Sequence, residues 1–189
     1  MPPAIQPVLA ARHSPLAFAA QPVTPTDRAA LLEAARWAAS SFNEQPWRLV
    51  YGDRHEDPAA HQRILDVLLP GNQRWAARAP LLLVSCALRT FTRTGHDNLH
   101  AWHDVGAAVA QLSVEATGRG LVVHQMGGID RAAARHALSV PDDFDIVAGI
   151  AVGHPGDPAA LDPDLAARQA QPRQRRPAES VFFAGRFPA

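Results

Sequence analysis

Ser40-Ser41-Phe42-Asn43-Glu44-Gln45-Pro46-Trp47-Arg48 changes from polar punctuation to apolar chain in a single turn of sequence. Serines, an asparagine and a proline stop whatever precedes them, and Trp47-Arg48-Leu49-Val50-Tyr51 is apolar and β-branched enough for a short strand. Upstream, Thr24-Pro25-Thr26-Asp27 reads as a helix start, with Thr24 as N-cap, Pro25 at the first helical position and Asp27 reaching back. That helix should run to about Ala39, burying Leu31, Leu32, Ala35 and Ala38. Before it, the proline-rich start Met1 to Pro7 leads to Arg12-His13-Ser14-Pro15, which Pro15 keeps out of a helix interior, so this end reads as an arm.

Downstream, a helix is expected over Pro58 to Leu69, ended by Pro70-Gly71. The continuous apolar run Leu81 to Ala87 suits a strand covered on both faces. The longest helix is expected from about Leu99 to Thr117, with Trp102, Val105, Val109, Leu112 and Ala116 at helical spacing and Gly118 and Gly120 closing it. A strand Leu121 to Gln125, a Gly127-Gly128 turn, a helix Arg131 to Ala137 and a strand Ile146 to Val152 follow. The apolar arc of the long helix is too wide for the surface of a monomer, which predicts an interface there. From about residue 154 to 189 the chain carries six prolines and Arg173-Gln174-Arg175-Arg176, yet ends in Val181-Phe182-Phe183. It reads as an arm of the single domain 1–189 that docks at its far end, on a surface that another subunit could supply.

Composition narrows the chemistry. All 18 cationic side chains are arginine, against 18 carboxylates. Without lysine there is no Schiff base and no phosphate loop ending in Gly-Lys. The charge balance draws the chain to neither nucleic acid nor membrane. A lone Cys86 excludes an intrachain disulfide, a CxxC pair and a cysteine-held iron–sulfur cluster. No apolar run nears the roughly 18 residues a spanning helix needs, and no signal-peptide pattern is present, so the expected location is the cytoplasm.

Several residues invite chemical readings. His96, His100 and His103 would share a helix face, a possible metal triad, if the long helix began early enough; otherwise His96 sits in a loop. Cys86, inside an apolar strand, reads as inert packing. No Gly-x-Ser-x-Gly elbow exists, and Gly118-x-Gly120 precedes a strand rather than opening a helix, so neither a hydrolase elbow nor a dinucleotide fingerprint is present. Arg12 beside Ser14, and Arg173 with Arg175 and Arg176 near the other end, form the donor set a phosphate dianion asks for if the two ends meet.

The segment Ser40 to Arg48 resembles the (P)SSxNxQPW signature of the FMN-dependent nitroreductase family, and Arg12-His13-Ser14-Pro15-Leu16-Ala17-Phe18 resembles its R-x-S-x-x-x-F opening. Asn72-x-x-Trp75, Asp104-x-Gly106-Ala107-Ala108, Gln125-Met126-Gly127-Gly128 and the tail Arg173-x-Arg175-Arg176-Pro177 follow in the same order, so the resemblance spans nearly the whole chain. It implies an α+β fold, a nitroreductase-like mixed β-sheet flanked by helices, in an intertwined homodimer with exchanged C-terminal arms and two FMN at the subunit boundary. It also implies an oxidoreductase that takes electrons from NAD(P)H and passes them to nitroaromatic, quinone or similar acceptors in a ping-pong cycle.

By the same resemblance, Arg12, Arg173 and Arg175 hold the FMN phosphate, and Ser14, with His13 beside it, holds the phosphate or ribityl end. Asn72 takes the pyrimidine edge, backbone N–H groups at Gly127-Gly128 face the flavin N5 with Gln125 and Met126 also among the cofactor-binding residues, and Ser40, Ser41, Asn43 and Gln45 come from the neighbouring subunit. Flavin itself carries the hydride, so no catalytic side chain and no metal ligand is expected. Two departures stand out: Leu16 and Trp75 occupy positions that are often cationic in the family, with Arg74 and Arg48 the candidates to replace that charge. A flavin-sequestering relative with little NAD(P)H turnover is therefore the alternative, and a metal-binding protein built on His96, His100 and His103 the weaker one.

Overall fold

A computed structural model describes residues 4–188, so Met1, Pro2, Pro3 and Ala189 lie outside the described residues. Seven α-helices and four strands follow in the order α1 (Pro7–Ala11), α2 (Pro25–Arg36), β1 (Trp47–Asp53), α3 (Pro58–Asp66), α4 (Pro70–Ala76), β2 (Leu81–Leu88), α5 (Ala101–Gly118), β3 (Val122–Met126), α6 (Arg131–Ala137), β4 (Phe144–Gly153) and α7 (Pro163–Gln169). The sheet order is β1-β2-β4-β3. All three pairings are antiparallel, so the sheet expected as mixed is antiparallel throughout the chain's own strands.

The apolar run of β2 explains the layering. Leu82, Val84 and Cys86 enter one core with Ile64, Trp75, Ile146 and Leu165, while Leu81, Leu83 and Ala87 enter the other with Leu31, Val105, Leu112 and Ile150. Alternation along a strand sends neighbours to opposite faces, so a strand buried on both faces is apolar on both, and the one polar residue of β2, Ser85, donates its hydroxyl to the Ala148 carbonyl at 3.2 Å. Helices α2 and α5 cover one face, and α3, α4, α6 and α7 contribute to the other. Gly52 on β1 sits so close to α3 that a Cβ there would lie 2.4 Å from the His61 backbone nitrogen. Burial pushes the Cys86 thiol up to about 11, which keeps it protonated and inert.

Four further expectations change. The helix α2 begins as read, with the Thr24 hydroxyl accepting from the Asp27 N–H at 3.0 Å, but ends at Arg36. Pro70 does not merely end the preceding helix; it occupies the first turn of α4, a position where its missing N–H has no partner to lose. The same holds for Pro7 in α1 and Pro163 in α7. Residues 154–169, read as the start of the arm, pack on their own chain: Leu161 and Leu165 are buried, and Gly156 N–H donates to the Ala17 carbonyl. The exposed arm is therefore the shorter stretch 171–188. Lastly, the apolar stripe of α5 is covered by the chain's own sheet and α2, so its width no longer argues for an interface.

Two histidines tie stability to pH. His61 is buried with Nε2 donating to the Ala79 carbonyl at 2.8 Å, and His124 donates from Nδ1 to the Pro15 carbonyl at 2.9 Å. Burial holds both pKa values below the ordinary 6.5. Unfolding releases them to protonate, so their contribution is full above about pH 6.5 and is lost as the pH falls toward the folded values. Urea unfolding at pH 5.5 should show a lower midpoint than at pH 7.5, with a smaller difference in His61→Gln. An equal difference in that variant would remove His61 from the account.

Candidate functional site

Two adjoining cavities form a trough along one side of the molecule. The first, about 300 Å³, is lined by Arg12, His13, Ser14, Arg173 and Arg175 among others, so the two chain ends do meet. The second, about 480 Å³, is lined by Asn72, Gln125, Met126, Gly127 and Gly128. His124 and Arg168 line both and mark the junction. No acidic side chain lines either cavity among the described residues. A channel with cations at one end and none of the opposing charge suits an elongated anion.

The arginines are not equivalent. Arg12 Nη1 lies 3.3 Å from Ser14 Oγ, and Arg175 Nη1 donates to the neighbouring Gln174 carbonyl at 2.7 Å. Arg173 instead donates to the Arg12 and Ala10 carbonyls at 2.6 and 2.7 Å, fastening the tail to the end of α1. Ser14 is held by its neighbours: Gln169 Oε1 accepts the Leu16 and Ala17 N–H groups at 2.6 and 2.9 Å. His13 turns its Nδ1 back to the Ala11 carbonyl at 3.0 Å.

At the other end, Asn72 Nδ2 donates to the Gly128 carbonyl at 2.9 Å, which leaves its side-chain oxygen as the free acceptor. A Cβ on Gly128 would lie 2.5 Å from that same nitrogen, so a larger residue there would push the Asn72 amide aside. A Cβ on Gly127 would meet nothing within 4 Å, and its backbone is open to the cavity. Met126 is buried beneath Gly149, leaving its backbone as the part that can serve the trough, whereas Gln125 is exposed.

Ser40, Ser41 and Asn43 line two cavities separate from the trough, the serines with His100 and Asp104 and Asn43 with Phe91 and His96, and Gln45 lies in the same loop and does not line the trough. Buried Asp104 accepts the Ser41 N–H at 2.9 Å, and Ser40 Oγ accepts the Gln45 N–H at 2.9 Å. Between these anchors Phe42, Asn43 and Gln45 all adopt positive φ, near +52 to +56°. That region is costly for a bulky residue such as Phe42, whose side chain is 83% exposed and meets Phe91 edge-on. The anchors overdetermine the loop and push its tip outward.

The histidine triad does not form. Helix α5 begins at Ala101, and His96 sits in the preceding loop, beside the bridge between Thr90 and Asp97. No group of three His, Cys, Asp or Glu is arranged to hold a metal among the described residues. Nor do the candidate replacement cations serve the trough. Arg74 is bound to Asp162 and Asp164, and Arg48 donates to the Gln45 and Trp47 carbonyls and lies over Phe144.

The sequence pattern of the Nitroreductase family matches residues 9–154. The chain belongs to the nitroreductase family. A crystal structure of an oxidoreductase containing FMN superposes with a TM-score of 0.93 at 33% identity, covering 100% of this chain and 95% of that one. A structure described as a nitroreductase in complex with FMN, from Desulfovibrio desulfuricans, superposes with a TM-score of 0.74 at 24% identity, covering 98% and 100%. An uncharacterized 15.4 kDa protein in the ask 5' region of Mycolicibacterium smegmatis is 40% identical over 121 residues, covering 64% of this chain and 80% of its own length. A variant of the FMN- and NADPH-dependent nitroreductase NfnB, from Sphingopyxis sp. strain HMH, shares the fold at a TM-score of 0.74 and 19% identity, covering 95% and 98%.

Three residues of this nitroreductase-family chain escaped the sequence reading: His124, Arg168 and Gln169. The helix that carries the last two had a visible start, Asp162-Pro163-Asp164, with Leu161 and Leu165 one turn apart. The proline-rich composition around it concealed the signal.

Proposed function

We propose that the chain is a cytoplasmic, homodimeric FMN-dependent oxidoreductase that draws electrons from NAD(P)H and delivers them to nitroaromatic, quinone or similar flat acceptors by a ping-pong cycle. The observation that carries this reading is the trough. Its arginine-lined end suits one phosphate, its middle offers His124 and Arg168, and its far end presents the Asn72 side-chain oxygen and the open backbone of Gly127 to a flat polar-edged ring. The donor set therefore fits FMN.

When bound, FMN supplies the two-electron chemistry at its ring. The chain's own work is placement. Arg12 and Arg175 hold the phosphate, with Ser14 beside them and His13 at the same end. Gln169 keeps that segment in place by accepting its two N–H groups. Asn72 fixes the ring edge, and Gln125, Met126 and Gly128 shape the floor beside Gly127. The outward loop carrying Ser40, Ser41, Asn43 and Gln45 belongs to the partner's site in the dimer, which accounts for its strain and exposure. One domain spans 1–189, and the aromatic end of the arm, beyond Arg176, docks on the partner.

The flavin-sequestering alternative rests on a specific observation: Leu16 and Trp75, at the often cationic positions, are 2% and 0% exposed and bring no charge. One experiment separates the readings. Denatured, filtered protein should release FMN, and anaerobic NADH or NADPH should bleach the holoprotein within seconds to minutes. A yellow protein that neither nicotinamide bleaches would establish the sequestering reading; a colourless protein that takes up no added FMN would end both.

A further inference from the structure

We propose that Arg168 is the cation that faces the flavin ring in this chain, supplying the positive charge that favours the reduced cofactor. The inference rests on the flavin reading above. Arg12, Arg173 and Arg175 line only the terminal cavity of the pair, whereas Arg168 lines both that cavity and the one containing Asn72 and Gly127. Its guanidinium has no carboxylate partner among the described residues, because the acids nearest to it on α7 are taken by another residue. Arg74 grips Asp164 through two bonds of 2.8 Å and Asp162 through one of 2.7 Å.

Those bonds also explain how a residue on a seven-residue helix can be held in place. Arg74 ties α7 to α4, Arg78 donates to the Ala160 carbonyl just before it, and Gln169 ties its end to the backbone of Leu16 and Ala17. Leu161 and Leu165 anchor it in the core. Arg168 thus projects from an element fixed on three sides, which sets where its exposed guanidinium emerges between the two cavities.

The other basic group at the junction, His124, contributes no charge. Its Nδ1 hydrogen is held by the Pro15 carbonyl, its ring packs 4.5 Å from Trp75, and burial with the nearby Arg168 keeps its pKa below the ordinary value. The fixed charge at the junction is therefore that of Arg168. A cation beside a ring that gains negative charge on two-electron reduction binds the reduced form more tightly than the oxidised one, and so raises the potential.

Arg168→Gln, Arg168→Lys and Arg175→Ala holoproteins test this by dye-equilibrated midpoint potential and by titration with FMN and with riboflavin. Arg168→Gln should lower the ratio of reduced to oxidised flavin affinity about tenfold, a fall of about 30 mV for a two-electron couple. It should weaken FMN and riboflavin alike. Arg168→Lys keeps the charge and should keep most of the potential. Arg175→Ala should weaken FMN alone and leave the potential unchanged. A wild-type protein that binds FMN, with an Arg168→Gln potential equal to its own or a loss confined to FMN, overturns the proposal while sparing the flavin reading. A wild-type protein that takes up neither flavin overturns both.

Discussion

Replacing Arg175 with alanine is expected to weaken FMN binding by about 1.5–3 kcal/mol, roughly tenfold or more in dissociation constant, and to leave riboflavin binding nearly unchanged. Arg12→Ala should behave in the same way. The reason is positional: both side chains line the terminal cavity, and neither is engaged by a carboxylate among the described residues. A charge-assisted contact to a phosphate is lost with the side chain, whereas riboflavin offers no phosphate to lose. Arg173 supplies the internal control. Its guanidinium fastens the tail to the carbonyls of Ala10 and Arg12, so Arg173→Ala should loosen the site as a whole. The Arg12 and Arg175 losses should not add in the double variant, since residues sharing one ligand couple. Titration by flavin fluorescence reads all of these, and equal losses for FMN and riboflavin in Arg12→Ala and Arg175→Ala would show that these arginines support the fold instead.

The pattern of what could be read in advance follows from the physics of proline and of pairing. Strand β2 was legible because seven of its eight buried positions are filled by apolar residues, Ser85 being the exception. Helix α6 was legible because Asp130 caps it and a short apolar stripe follows. Helices α1, α4 and α7 were not, because their first-turn prolines were read as breakers in a proline-rich chain, although that position is where proline costs a helix least. The same misreading extended the arm back to 154 and hid Arg168. At the site, residue types were visible in sequence but their duties were not: Asn72 and Gly128 serve each other, and Arg173 serves α1. The positive φ of Phe42 had no signal at all, since its cause is the tertiary anchor at Asp104.

Truncation after Ala170 should cost the protein most of its FMN and much of its dimer while leaving its fold intact. The cut removes Arg175, a phosphate contact, together with Arg173, which fastens the tail to α1, so FMN affinity should fall further than the roughly tenfold expected of Arg175→Ala alone. Helix α7 ends at Gln169, so Leu161 and Leu165 stay in the core and the grip of Gln169 on Leu16 and Ala17 survives. The thermal melt of the flavin-free monomer should therefore hardly move. The dimer is affected for a different reason. Beyond the arginines, Phe182 and Phe187 are 76% and 81% exposed, and the Phe183 and Phe187 rings meet at 5.2 Å. Aromatic side chains left in water are a surface that a partner can cover, and on the homodimeric reading that partner is a second copy. A second cut, after Arg176, keeps the phosphate ligands and removes only the aromatics. It should shift the monomer–dimer equilibrium toward monomer in sedimentation at micromolar concentration while retaining more of the FMN affinity than the longer cut. An unchanged dimer after that second cut would show that the aromatic end does not cross between subunits, and the flavin site would then have to be completed by the Ser40 to Gln45 loop alone.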